Sequence, residues 1–181
     1  VGSKLKRVVS VPNAQWEFVL FNDSTPNAFA LPGGKVGVHT GLFKVVSNDA
    51  QLAAVLGHEI GHVNARHSGE RLSNAALGSA VGVGIGIILE KKAGVDRGAA
   101  QTIGQGAATV RLMSFSSRQE LDADRLGAIY MAKANYDPRE SVTLWERFAA
   151  YKNQTGANRT PTIFSTHPVD SKRSEELNKY M

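Results

Sequence analysis

The chain has 181 residues, no cysteine and a formal net charge of +5. That length suits one domain with a sizeable core. The lack of cysteine excludes disulfides and thiolate metal sites, so any zinc must be held by histidine and carboxylate. The positive charge is spread along the chain with no Lys/Arg block and no recognition motif. It argues against a nucleic-acid footprint and is compatible with weak membrane-surface association.

The chain begins at Val1 rather than methionine, so a trimmed or mature form is expected, with any leader or anchor missing. Residues 4–11 (KLKRVVSV) and 16–21 (WEFVLF) read as short strands, being rich in β-branched and aromatic residues. Asn22 to Asn27 is a turn. Residues 28–31, Pro32-Gly33-Gly34 and residues 35–40 read as a hairpin whose second strand carries Gly37 and suits a sheet edge. His39 reads as a surface residue of that strand. Thr40 to Val46 reads as a short helix.

Leu52 to His67, LAAVLGHEIGHVNARH, reads as one amphipathic helix that Asn48-Asp49-Ala50-Gln51 starts as a capping box. Gly57 and Gly61 lie inside it. Each costs about 1 kcal/mol against alanine, so close approach of another element is the expected compensation. Arg66 and His67 near the end suit the helix dipole.

Residues 75–89 (AALGSAVGVGIGIIL) are uncharged and apolar. As a helix they would span about 23 Å, against about 30 Å for a bilayer core. A buried helix is expected, with a mobile or membrane-touching flap as the sharper alternative. Gly78, Gly82 and Gly86 would let two helices pack closely. Residues 90–96 read as a turn and 97–112 as a helix. Ser117-Arg118-Gln119-Glu120 starts a helix to about Asn135, with a capping box. Asp137-Pro138-Arg139-Glu140 opens another, whose stripe of Val142, Leu144, Trp145, Phe148 and Ala149 belongs to the core. Residues 153–166 read as a polar loop, followed by His167-Pro168 and a last short helix to about Lys179.

His58, Glu59 and His62 form H-E-x-x-H on the central helix. Residues four apart share a helix face, so both imidazoles can reach one metal ion while Glu59 works on a water there. A catalytic zinc takes a third protein ligand, and Glu120, on a helix of its own, is the candidate. Asp124, one turn on, is placed to accept the free N–H of a ligand histidine and fix its tautomer.

Four segments occur in the order of a known family: AFALPGGKVGVHTGL (28–42), LAAVLGHEIGHVNARH (52–67), RQELDADRLG (118–127) and THP (166–168). Over most of its length the chain resembles the zinc metallopeptidases that include the CAAX prenyl proteases, HtpX and BepA. Lacking membrane spans, it is most similar to the BepA-like branch. The resemblance implies an α+β, thermolysin-like gluzincin domain over residues 1–181, mostly helical with a small N-terminal sheet. It implies a Zn2+-dependent endopeptidase acting on protein or peptide substrates in protein quality control. Zinc would sit on His58, His62 and Glu120, with Glu59 as general base and Asp124 behind a ligand histidine. An extracytoplasmic place in a bacterium follows, in the periplasm or at a membrane. BepA-like proteins carry a helical repeat domain after the peptidase domain, so such a domain or partner outside this chain is expected.

The resemblance also puts His167 near the zinc, with Pro168 restricting its backbone to extended conformations. His167 would either donate to the oxyanion or take the open zinc position and hold the enzyme latent on a mobile loop. Arg173 is a second candidate for oxyanion donor. Strand 35–40, with Lys35, Val36, Gly37 and Val38, is expected to pair with an extended peptide substrate. The alternative function is a zinc-binding chaperone or docking module with little or latent proteolysis.

Overall fold

A computed structural model describes residues 1–70, 114–155, 163–167 and 171–180. The expectations for residues 75–89, 90–96 and 97–112, and for Pro168, lie outside the described residues. The described part is α+β, mostly helical, with one three-stranded sheet.

The first element is a helix, α1 (Gly2–Val8), and not the expected strand. Val1, Leu5 and Val8 recur at helical spacing and all turn toward the core, with Leu5 fully buried. The β-branched content pointed to a strand, but burial of this stripe outweighs a propensity difference of tenths of a kcal/mol, roughly.

The sheet comprises β1 (Glu17–Phe21), β2 (Ala28–Leu31) and β3 (Lys35–His39), in the order β1-β3-β2. β2 and β3 form the expected antiparallel hairpin, turning at Gly33 and Gly34, both with positive φ. β1 pairs with β3 in parallel, so β3 is the central strand. Gly37 therefore does not mark an edge. Its lack of a side chain makes room for aromatic rings: a Cβ there would come within 2.4 Å of Phe29 and 2.9 Å of Phe21. His39 is likewise not a surface residue. It is buried edge-on to Phe21 and Phe29, with Nδ1 3.4 Å from Asp23.

A 3-10 helix over Thr40–Lys44 leads to α2 (Asp49–Asn64). The Asn48 side chain accepts the Gln51 N–H at 2.8 Å, the cap read from sequence. α2 ends before His67, because Arg66 takes a left-handed φ of 58° and residues 67–70 begin a new helical turn. α3 (Ser117–Lys133) is capped by Ser116 and Gln119 reciprocally, one residue earlier than expected. Glu120 is thus not needed as a cap.

α4 (Glu140–Thr155) starts just after the Asp137–Arg139 turn. The expected loop 153–166 is instead helical at both described ends, through α4 and the single turn α5 (Ile163–Thr166). α6 (Ser171–Asn178) follows. No helix among the described residues is long and apolar enough to cross a membrane.

The glycines of α2 have the packing role that their cost predicts. A Cβ on Gly61 would sit 2.8 Å from the Ala123 carbonyl oxygen, and one on Gly57 3.0 Å from that of Gly127. α2 and α3 therefore meet backbone to backbone, which brings residues 120 and 124 within side-chain reach of 58 and 62. Val36 and Val38 of the sheet and Leu144, Trp145 and Phe148 of α4 complete the core. Each such side chain contributes about 1.5–3 kcal/mol on full burial.

Candidate metal centre

α2 presents His58 and His62 on one face, as the four-residue spacing requires, with their Nε2 atoms 3.0 Å apart. α3 brings Glu120 beneath both rings, 3.5 Å from each Nε2. His167, just after α5, points its Nδ1 into the same space, 3.1 Å from His58 Nε2 and 3.0 Å from Glu120 Oε1. One donor atom from each of these four buried residues lies within 4.8 Å of all the others.

A hydrogen bond at the far side of the His58 ring favours the tautomer whose lone pair faces inward: His58 Nδ1 lies 2.8 Å from Asp124 Oδ1. With Nδ1 carrying the proton, His58 Nε2 presents a bare lone pair to the centre. His167 Nε2 lies 3.3 Å from Glu59 Oε1. A tetrahedral zinc with bonds of about 2.1 Å would hold neighbouring ligand atoms about 3.4 Å apart, close to the 3.0–3.5 Å observed. The charge balance agrees. With the imidazoles neutral, as ligation requires, three buried carboxylates, Glu59, Glu120 and Asp124, face one buried guanidinium, Arg173, leaving two formal negative charges for a divalent cation to balance. The residues present fit such an ion.

The electrostatics follow from burial and from these neighbours. Burial pushes the Glu59 carboxyl up, more than the nearby His167 and His58 rings lower it. Burial would also raise Glu120, but His167, His58 and His62 override it and hold that carboxyl well below the usual range. Burial likewise works to raise Asp124, and Arg173 and His58 bring it down. For His58, burial opposes protonation, yet Asp124 and Glu120 lift it to about 9. His62 is held well below its ordinary value, chiefly by burial.

The other predicted residues are placed as follows. Asp124 does meet His58, and it is in turn gripped by Arg173, whose Nε–H and Nη2–H donate to Oδ2 and Oδ1 at 2.7 and 2.8 Å. Arg173 Nη1 is 2.7 Å from Glu120 Oε2, and its guanidinium lies 3.8 Å from the centre of the Trp145 ring. In this structure the Arg173 guanidinium is thus engaged by two carboxylates, which it orients. Trp145 is core, as expected, but it is also a wall of the site, edge-on to His58 at 5.4 Å.

Lys35, Val36, Gly37 and Val38 do not face the cleft on a free edge. They lie on β3, whose backbone is paired with β1 on one side and β2 on the other. The strand beside the centre is β2. The Ala30 N–H donates to Glu59 Oε2 at 3.2 Å, so Ala30 faces away from β3 and toward the site. The cleft is lined by β2 together with Glu59, His62, Phe115, Thr166 and His167.

Two residues were not anticipated. Phe115 stacks on His62 at 3.8 Å and donates its N–H to the Thr166 carbonyl at 2.9 Å, tying the start of α3 to the His167 segment. Nothing in its local sequence signals this. His67, expected to serve only the helix dipole, is buried with Nδ1 2.9 Å from His62 Nδ1. Five residues from His62, it falls off the helix face that periodicity can read.

The whole chain, residues 1–181, matches the model of peptidase family M48. It is 36% identical over 172 residues to mitochondrial metalloendopeptidase OMA1 of Saccharomyces cerevisiae, covering 92% of this chain and 47% of that protein. It is 35% identical to OMA1 of Schizosaccharomyces pombe, covering all of this chain and 52% of the relative. It is also 34% identical to the β-barrel assembly-enhancing protease of Escherichia coli K12, covering 96% of this chain and 36% of that protein. The chain belongs to peptidase family M48, as its motifs suggested. It spans about half the length of the two yeast relatives.

Proposed function

We propose that this chain is a single zinc metalloendopeptidase domain of the thermolysin-like gluzincin class. The observation that carries the reading is the convergence of His58, His62 and Glu120 on one point, with the Glu59 carboxylate beside them. His58, His62 and Glu120 would hold the zinc, which when bound supplies Lewis acidity toward a water and the scissile carbonyl. Glu59 takes the proton of that water as its oxygen bonds to the carbonyl carbon. The C–N bond then breaks, and Glu59 returns the proton to the leaving amine. The raised Glu59 carboxyl suits a base that must also act as an acid. Asp124 and Arg173 keep His58 and Glu120 oriented. An extended protein or peptide substrate runs along β2, using the cleft-facing backbone of Ala28 and Ala30. Work in protein quality control outside the cytoplasm belongs to this reading, in line with a relative named for enhancing β-barrel assembly.

The test is metal content with activity. Purified protein should carry about one zinc per chain. It should cleave casein, lose cleavage to a chelator and regain it with zinc. Zinc bound without any cleavage, in wild type and in His167→Ala alike, would favour a docking or chaperone module instead.

We further propose that His167 is a fourth ligand that holds the site closed, rather than an oxyanion donor. Its Nδ1 lies among the other donor atoms, and four protein ligands leave a tetrahedral zinc no position for water. His167→Ala is then expected to raise peptidase activity and weaken zinc binding modestly. A fall of about a hundredfold in turnover with zinc retained would assign the oxyanion role.

A further inference from the structure

A ring nitrogen can bind a metal only when the proton sits on the other nitrogen, so each ligand histidine needs an acceptor behind it. For His58 that acceptor is a carboxylate, Asp124. Among the described residues, the group at hydrogen-bond distance from His62 Nδ1 is another imidazole, that of His67, at 2.9 Å.

His67 is brought there by a special backbone conformation. α2 ends at Asn64, and Arg66 adopts a left-handed φ of 58°, rare for a residue with a side chain. That turn redirects the chain, so residue 67 lands back over the last turn of α2. The new helical turn is anchored at its other end, where Gln119 Nε2–H donates to Glu70 Oε2 at 2.9 Å, one residue before Glu120. Phe115 stacks on His62 at 3.8 Å with an interplanar angle of 22°. The His62 ring is thus confined by Phe115 and by His67.

We infer that His67 is a positioning residue of the metal centre: its unprotonated Nδ1 accepts the His62 Nδ1–H, which leaves the His62 Nε2 lone pair for zinc. The two ligand histidines of H-E-x-x-H are therefore supported unequally, one by a carboxylate that an arginine holds, the other by a neutral ring on a left-handed turn. This inference rests on the zinc reading above.

The test compares zinc affinity of wild type, His67→Ala and His67→Asn by competition with a chromogenic chelator. Asparagine keeps a polar atom near the Nδ1 position; alanine does not. His67→Ala should bind zinc about 10–100-fold more weakly, and His67→Asn should recover most of that loss. Equal affinity in wild type and His67→Ala, or no recovery in His67→Asn, would overturn the inference while leaving the zinc reading intact. Failure of wild type to bind zinc would overturn both. Should the variants not fold, 15N-histidine spectra of zinc-loaded wild type decide. A proton on His62 Nδ1, with coupling across to His67 Nδ1, is expected, and an unprotonated His62 Nδ1 would overturn the assignment.

Discussion

Glu59→Gln is expected to lower turnover by about a hundred- to ten-thousand-fold while zinc content stays unchanged, the loss typical of removing a general base. Glu59 is buried beside the four donor atoms but is not one of them, so its loss should not release the metal. Glutamine has the same shape, and its amide oxygen can accept the Ala30 N–H that Glu59 Oε2 accepts at 3.2 Å. What glutamine lacks is a site for the water's proton. Casein cleavage read together with elemental analysis checks this, and turnover at the wild-type rate would remove Glu59 from the chemistry.

Glu120→Ala is expected to weaken zinc binding by more than about a hundredfold, beyond the loss that follows from removing a partner of a ligand, and to abolish chelator-sensitive cleavage. Glu120 is fully buried and supplies the carboxylate of the donor cluster. Arg173 would keep its two bonds to Asp124, so the loss should be local. Glu120→Gln keeps the volume and removes the charge, which separates poor zinc binding from poor folding. A thermal melt without metal reports the fold, and chelator competition reports the zinc. Full zinc affinity in Glu120→Ala would exclude it from the ligand set.

Both experiments act on residues that the sequence had already singled out, Glu59 by its motif and Glu120 by helical spacing. Four-residue spacing on a helix puts side chains on one face whatever surrounds them, so His58 with His62 and Glu120 with Asp124 could be read as pairs. The caps of α2 and α3 were legible to within a residue, because an N-cap is satisfied by groups two or three positions away. The cost of Gly57 and Gly61 pointed to a close neighbour, though only the fold names it as α3. The α1 reading failed because the stripe of Val1, Leu5 and Val8 had to compete with a β-branched composition that points the other way.

The amino-acid sequence alone determined the local matters for α2, α3 and α4: that these helices form, about where they start, and which of their residues share a face, since each rests on contacts a few positions apart. Tertiary structure alone decided the rest. It made β3 central and left β2 beside the cleft, because strand order depends on pairings between distant segments. It committed Arg173 to Asp124 and Glu120, pairs 49 and 53 positions apart that no periodicity relates. It put His67 behind His62 through one left-handed residue. Such contacts arise where separately folded elements meet, and a helical or strand period carries no information about that meeting.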